Sequence, residues 1–215
     1  MSDARREILD KGVEAALHLA ETIDWRDLTL SAIAERAGLS LEDFHGVADK
    51  AKISDAVEPW LDRAMSEGST SKDEAPRTRL FDVIMMRFDR IEQHREALLS
   101  LQEWRRTQPV RILNLIAARH ETANWALACA GLDSAGDFPK PVRKSAIAWA
   151  LAQAEIAWRK EDSSDLSRTM AKLDGELRKM EERAGWIKGR FGRKMRDTPD
   201  PATGVMSEEN TPASS

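Results

Sequence analysis

The amino-acid sequence predicts an all-α protein with a small N-terminal helical head and a larger helical-bundle body. Two observations predict this fold class. Apolar residues recur at helical spacing through most of the chain, and no segment shows the strict alternation that is typical of a strand. Breakers separate the helical stretches at 66–76, at Pro109 and in the Gly131–Pro141 loop. Of the 215 residues, 41% are hydrophobic, which is enough to build a core.

The helical stretches divide the chain into three regions. Helices are predicted at 3–22, 29–37, 41–46, 50–66, 77–92, 95–105, 109–130, 140–161 and 164–185. We assign residues 1–57 to the head and residues 58–185 to the body. The remaining segment, 186–215, begins with basic residues and ends in a Pro- and Ser-containing stretch that predicts a disordered tail.

Composition argues against several classes of protein. The one cysteine, Cys129, excludes a disulfide framework, and the four histidines are scattered, so no metal site is predicted. No catalytic motif and no Gly-rich phosphate loop is present, so we predict neither an enzyme nor a bound cofactor. Residues 1–12 are charged throughout and no stretch approaches 18 apolar residues, so the expected location is the cytoplasm.

The most specific local signal is the stretch "TLSAIAERAGLSLEDF" within the head. Thr29 is placed to cap a short helix, and Gly38 suits the positive φ of a tight turn. Ser40 is placed to cap the next helix, with Asp43 three residues later, and Asp49 can cap the helix that follows. A short helix, a turn with glycine and a second short helix form the layout of a DNA-reading helix-turn-helix.

Residues 8–57 resemble the head of the tetracycline-repressor (TetR) family of bacterial regulators. The similar pieces are "ILDKGVEAAL", "LTLSAIAERAGLS" and "VADKAKISDAV". The resemblance implies a three-helix DNA-binding head, a ligand-binding body and a homodimer built from the last two body helices. It also implies a set of side chains that contact operator DNA, with Lys50 and the helix N-termini on phosphates: Thr29, Ser31, Ser40, Leu41, His45 and Lys50.

The charge of the head differs from that of a protein that binds DNA through a basic surface. Residues 1–57 contain 7 Lys or Arg and 12 Asp or Glu, which gives a net charge of −5. Glu42 and Asp43 stand where the family usually has a Gly-Thr pair. Affinity for DNA depends on neutralising phosphates with Lys and Arg, so operator binding is expected to be weak without specific contacts.

The body contains apolar and aromatic side chains that predict a pocket for an apolar ligand or a lipid. Of the seven tryptophans, five follow residue 100, and apolar residues dominate 110–130. A pocket between such helices suits an apolar or aromatic ligand. The predicted pocket residues are Trp104, Ile116, His120, Trp125 and Trp149.

Two long amphipathic helices at 140–161 and 164–185 predict an antiparallel hairpin and a self-complementary dimer face. Apolar residues form a stripe at helical spacing on each of them. We predict a homodimer, with Leu151, Trp158, Leu173 and Leu177 in its interface.

A second resemblance supports an alternative function. The stretch "WRKEDSSDLSRTMAKLDGEL" is similar to the C-terminal region of a branch of this fold that does not bind DNA, which includes the lipid-binding protein of ubiquinone biosynthesis. The residues that carry it are Trp158, Asp162, Asp165, Thr169, Leu173 and Asp174. The alternative is therefore a protein that holds a lipid or isoprenoid in its body and does not bind DNA.

The segment 186–196 contains five basic residues and no acidic residue. Ile187, Phe191 and Met195 follow at i, i+4 and i+8, which is the pattern of a helix at a membrane surface, although Gly189 and Gly192 oppose a helix. A solvated basic tail and nonspecific contact with nucleic acid are the other interpretations of this segment.

Overall fold

The structure, a computed structural model, describes residues 3–68, 73–134 and 138–196, and of 184–196 it describes the backbone alone. These ranges contain nine α-helices and no strand. The helices are α1 (Asp3–Ala20), α2 (Leu30–Ala37), α3 (Leu41–Phe44), α4 (Lys50–Asp62), α5 (Pro76–Gln93), α6 (Arg95–Arg106), α7 (Pro109–Cys129), α8 (Lys140–Trp158) and α9 (Ser167–Arg196). The predicted all-α class is confirmed.

The head forms because α1 packs against α2, α3 and α4 around one apolar centre. Val13 and Leu17 of α1 are fully buried, as are Ile33 of α2 and Ile53 of α4, and Phe44 of α3 is almost so. Each of these side chains comes from the apolar stripe of its own helix, and removing that stripe from water stabilises the head.

The body is a bundle in which α8 lies between α7 and α9. Helices α8 and α9 pack along each other as the predicted hairpin, and α5 packs against α7 and α9. Helix α6 contacts α1 of the head, α5 and α7. Its Ser100 accepts a hydrogen bond of 2.7 Å from the backbone N–H of Trp25, which fixes the head against the body.

Helix α4 connects the two parts of the molecule. It begins at Lys50 in the head, runs across the boundary that the sequence predicts at residue 57, and ends at Asp62 against α7. Its buried residues include Ile53 and Val57 but also Glu58 and Asp62. The charged end of α4 therefore points into the bundle.

Several predicted helix limits differ from the observed ones, and two of the differences have clear local backbone causes. Helix α3 ends at Phe44 rather than 46, because His45 has an extended backbone and Gly46 takes a φ of 69°. The last helix begins at Ser167 rather than 164, because Leu166 has a φ of 55° and Asp165 accepts a hydrogen bond from the Ser167 N–H. That helix continues to Arg196, through the glycines of the basic segment.

Candidate functional site

The helix-turn-helix of the head has the local geometry that the sequence predicts. The Thr29 side chain accepts a hydrogen bond of 3.1 Å from the Ala32 N–H and caps α2. Gly38 ends α2 with a φ of 66°, a conformation that costs glycine little. Ser40 and Asp43 form a reciprocal capping box at the start of α3, and Asp49 caps α4. These predicted caps are confirmed.

Most of the predicted DNA contacts are exposed on this unit. Thr29, Ser31, Ser40, Leu41 and His45 are all accessible to solvent, and the Leu41 side chain is 50% exposed although it is apolar. Leu41 and His45 line an open groove of about 550 Å³ beside α3. These side chains are therefore available to a partner, whether that partner is DNA or another molecule.

Lys50 is placed differently from the other five. Its ammonium donates hydrogen bonds of 2.9 Å to the carbonyl of Arg26 and 2.7 Å to the carbonyl of Leu28. It also lies 5.6 Å from the centre of the Trp104 ring. Burial lowers the pKa of Lys50, and Asp27 and Asp24 oppose that shift. Lys50 therefore ties the start of α4 to the loop before α2, and a phosphate would have to compete with these contacts.

The centre of the body contains a network of buried ion pairs. Only 1% of the Arg87 side chain, on α5, is exposed. It donates a hydrogen bond of 2.6 Å to Glu58 and one of 2.7 Å to Asp62, both on α4. Arg105 of α6 donates a hydrogen bond of 2.6 Å to the other carboxylate oxygen of Glu58. The hydroxyl of Thr122, on α7, donates a hydrogen bond of 2.7 Å to Asp62. Side chains of four helices thus meet at the end of α4.

Helix α8 joins this network through Glu155. One oxygen of its carboxylate lies 3.6 Å from Arg87, and the other accepts a hydrogen bond from Arg119 of α7. Glu155 is 5% exposed, so its charge is held by these two guanidinium groups rather than by water. We call the set Glu58, Asp62, Arg87, Arg105, Arg119 and Glu155 the interior ion network.

The pKa shifts within the network show how closely burial and pairing compete. Burial raises the pKa of Glu58, but Arg105 and Arg87 more than offset it, and the net shift is downward. Burial also raises the pKa of Asp62, and there Arg87 and Thr122 offset it only in part. For Arg87, burial lowers the pKa, yet Asp62, Glu58 and Glu155 outweigh it and raise the pKa overall. The ionised pairs persist because each charge has a partner of opposite sign.

The predicted apolar pocket does not coincide with the cavity beside the interior ion network, and it stays a prediction. The cavity beside the interior ion network has a volume of about 20 Å³ and is lined on one side by Glu58, Arg87, Arg105 and Glu155. A space of this size holds one water molecule. None of the five predicted pocket residues lines it.

The five predicted pocket residues differ in their exposure and in their neighbours. Trp149, Ile116 and Trp125 are 61%, 49% and 43% exposed. Trp104 lies at the junction of head and body, 6.3 Å from Trp25 between ring centres. His120 is half-buried, with Nδ1 3.0 Å from the carbonyl of Ile116 one turn earlier.

The predicted dimer residues pack inside the protomer. Leu151, Trp158 and Leu173 are fully buried and Leu177 is 3% exposed, all within the contact between α8, α9 and the rest of the bundle. The indole N–H of Trp158 donates a hydrogen bond of 2.6 Å to the carboxylate of Glu92. The outward face of α8 instead presents Val142, Trp149 and Ile156, which are 53%, 61% and 45% exposed and follow one another every two turns.

The residues of the second resemblance build the turn between α8 and α9. Thr169 is fully buried. Its backbone N–H and its hydroxyl donate hydrogen bonds of 2.9 and 3.0 Å to the carboxylate of Glu161. Asp165 accepts from the Ser167 N–H, and Asp174 pairs with Arg77 at 2.6 Å. These contacts give the motif a structural role at a helix boundary.

Comparison with known proteins identifies the fold. The structure is similar to the crystal structure of the TetR transcriptional regulator from Nitrosomonas europaea ATCC 19718, with a TM-score of 0.65. The likeness covers 83% of this chain and 98% of that chain, at 19% sequence identity. The chain has the TetR fold. No protein-family model and no curated protein matches the sequence.

The TetR-fold chain shows no sign of a membrane span or a metal centre in its described ranges. Among the helices described, none combines the length and the apolar character that crossing a bilayer requires. In the same ranges, no group of three His, Cys, Asp or Glu side chains is placed to hold a metal ion. The side chains of 186–196, for which the sequence leaves membrane-surface contact, a solvated tail and contact with nucleic acid open, lie outside the described residues, and so does the tail that is predicted to be disordered from Thr198 onward.

Two adjacent arginines of α6 test the interior ion network. Arg105→Met should lower the free energy of unfolding by about 3 kcal/mol, because Glu58 loses a buried partner. Arg106→Met is the matched control, since Arg106 is 58% exposed and pairs with an exposed Glu103. That control should change stability by less than about 0.5 kcal/mol. Urea denaturation of both variants measures the difference, and equal effects would contradict the network's role.

Proposed function

We propose that the protein is a ligand-responsive, DNA-binding transcriptional regulator that acts in the cytoplasm as a homodimer. The observation that carries this proposal is the exposed helix-turn-helix, in which Gly38 and three capped helix starts hold Thr29, Ser31 and Leu41 on the surface. Further support comes from the similarity of the fold to that of a transcriptional regulator.

The mechanism that we propose is a shift between two arrangements of the heads in the dimer. A ligand that binds the body more tightly in one arrangement favours that arrangement, and operator DNA favours the other. Helix α4 suits this role because it carries Lys50 in the head and Glu58 and Asp62 in the interior ion network. A change in the packing of the network therefore bears directly on the helix that enters the head.

A second candidate function is favoured by the charge of the head. The net charge of −5, and the acidic Glu42 and Asp43 of α3, repel phosphates, and Lys50 is engaged by two carbonyls. These observations support a TetR-fold protein that holds a lipid or isoprenoid and does not bind DNA. For such a protein the groove beside α3 would not be a DNA-binding surface.

The two candidates differ in the expected binding of DNA. A selection from fragments of the whole genome, followed by gel shifts at about 100 mM salt, should recover a specific operator if the protein is a regulator. Exchanging the acidic pair for the usual one, Glu42→Gly with Asp43→Thr, should then change the sequence preference while a specific operator is still required.

The same double substitution, Glu42→Gly with Asp43→Thr, has a different expected result for the second candidate. If the protein does not bind DNA, the wild type should select no operator, and removing two negative charges should raise nonspecific affinity alone. A matched control is Glu14→Gln with Glu21→Gln, which removes two charges from α1 and the turn after it and leaves α3 unchanged. A tight, specific shift by the wild type contradicts the second candidate, and failure to select any site contradicts the first.

The outward face of α8 is the dimer interface that we propose in place of the predicted residues. Trp149→Glu with Ile156→Glu should dissociate the dimer, because burying two unpaired charges is costly. The matched control is Val110→Glu with Leu113→Glu, which places two charges at exposed apolar positions near the start of α7. Sedimentation velocity at micromolar concentration measures the result; a monomeric wild type, or equal dissociation by both pairs, would contradict this interface.

A further inference from the structure

Two arginines pair with the single carboxylate of Glu155, and a third follows it in the chain. Arg119 donates a hydrogen bond to it, and Arg87 lies 3.6 Å from its other oxygen. Arg159 directly follows the last residue of α8, and its backbone N–H donates a hydrogen bond of 3.1 Å to the backbone carbonyl of Glu155. We call Arg87, Arg119 and Arg159 the arginine cluster.

The arginine cluster has more buried donors than acceptors. Nη1 of Arg87, which lies 3.6 Å from Glu155, and Nε of Arg119 and of Arg159 are inaccessible to solvent, and none of them has an acceptor at hydrogen-bond distance among the described residues. The Arg87 side chain is 1% exposed and lines the cavity of about 20 Å³. A guanidinium has five N–H donors and cannot act as an acceptor, so buried donors of this kind require an oxygen from elsewhere.

The charges around the cluster leave an excess of one positive charge. Adding Arg159 to the interior ion network gives four arginines against three carboxylates, those of Glu58, Asp62 and Glu155. Burial lowers the pKa of Arg159, and Arg106 and Arg119 lower it further while Glu155 opposes them. One more negative charge placed beside Arg159 and Arg119 would be stabilised by both.

The cavity beside Arg87 is lined by apolar as well as charged side chains. The cavity that Arg87 and Glu155 line also has walls of Leu98, Leu115 and Trp158. Leu115 belongs to the first half of α7, where Ile112 and Ile116 are 44% and 49% exposed. The first half of α7 thus presents apolar side chains both at the cavity that Arg87 lines and at the surface.

We propose that the arginine cluster binds the acidic group of an amphipathic anion, a carboxylate or a phosphate, whose hydrocarbon chain lies along the first half of α7. This inference rests on the ligand-binding part of the proposed function and not on the DNA-binding part. The acidic group takes up the donors of Arg87, Arg119 and Arg159 that lack acceptors. Since the cavity holds one water, α7 must move away from Trp158 to admit the chain.

Calorimetric titration with four probes of equal chain length tests the chemistry of the ligand. Dodecanoate and dodecyl phosphate, kept below their micelle concentrations, should bind saturably to the full chain. Dodecanol should bind at least about tenfold more weakly, because it lacks the charge-assisted hydrogen bonds. Dodecyltrimethylammonium should not bind. Equal binding of the alcohol and the carboxylate would overturn the proposal.

The source of the anion is distinguished by vesicles. A free fatty acid as the ligand predicts binding of dodecanoate without sedimentation on phosphatidylglycerol vesicles. A lipid headgroup predicts co-sedimentation with those vesicles and none with phosphatidylcholine vesicles. Either result supports an amphipathic anion, and the absence of binding to every anionic probe overturns the proposal.

Three variants assign the binding to the arginine cluster. Arg159→Gln should weaken dodecanoate binding about tenfold through the loss of a charged donor, and Arg119→Gln should do the same. Glu155→Gln should tighten it, because the competing carboxylate is gone, a gain that a merely structural role of Glu155 does not predict. The control Arg178→Gln removes an exposed guanidinium of α9 and should leave binding unchanged.

The outcomes separate this inference from the proposed function. Unchanged affinity in Arg159→Gln and weaker binding in Glu155→Gln, with folding verified by circular dichroism, would overturn the inference. If dodecanol binds as well as dodecanoate, the body binds a ligand but its charge is not recognised. The operator selection is made without any ligand, so its result stands independently of these titrations.

Discussion

The guanidinium group of Arg87 is the point on which the arrangement of the body depends. It is 1% exposed and is held by carboxylates from both sides, Glu58 and Asp62 of α4 and Glu155 of α8. A buried charge without partners would cost several kcal/mol, so these helices can pack only where the carboxylates reach Arg87. Apolar contacts tolerate small shifts of a helix, whereas hydrogen bonds between charged groups do not.

This constraint extends from the bundle to the head through α4. Arg105 fixes the middle of α4 through Glu58, and Arg111 of α7 binds Asp55 one turn earlier. The first residue of α4, Lys50, then binds the loop that leads into the helix-turn-helix. The orientation of the head is thus set by polar contacts along one helix, together with the hydrogen bond from Trp25 to Ser100. An acidic ligand beside Glu155 would act at the opposite end of the same chain of contacts.

The sequence predicts the local features of this structure well because they depend on neighbours in the chain. The caps at Thr29, Ser40 and Asp49 and the positive φ at Gly38 each involve residues within four positions of one another. The pocket and dimer assignments depend instead on contacts between distant parts of the chain or between copies. A stripe such as Leu151 to Trp158 shows that a face is buried, but it does not show whether the covering surface is the same protomer or a second copy.

The interior ion network was missed although the sequence contains a signal for it. Arg87 lies on the apolar stripe of α5, between the buried Ile84 and Ile91, and Glu155 lies between the buried Leu151 and Trp158 on α8. A charged residue at an inward position of an amphipathic helix requires a buried partner. Which residue provides that partner depends on the packing of helices that are far apart in the chain, so helical spacing alone does not identify it.

A double-mutant cycle between Glu58 and Arg87 tests most directly whether the interior ion network determines the packing of the body. The free energies of unfolding of the wild type, Glu58→Leu, Arg87→Met and the double variant give the coupling energy of the pair. We predict a coupling of about 3 kcal/mol. It should persist in about 1 M NaCl, because salt screens buried charges far less than exposed ones. A coupling below about 0.5 kcal/mol, or one that salt abolishes as for an exposed pair, would contradict this account.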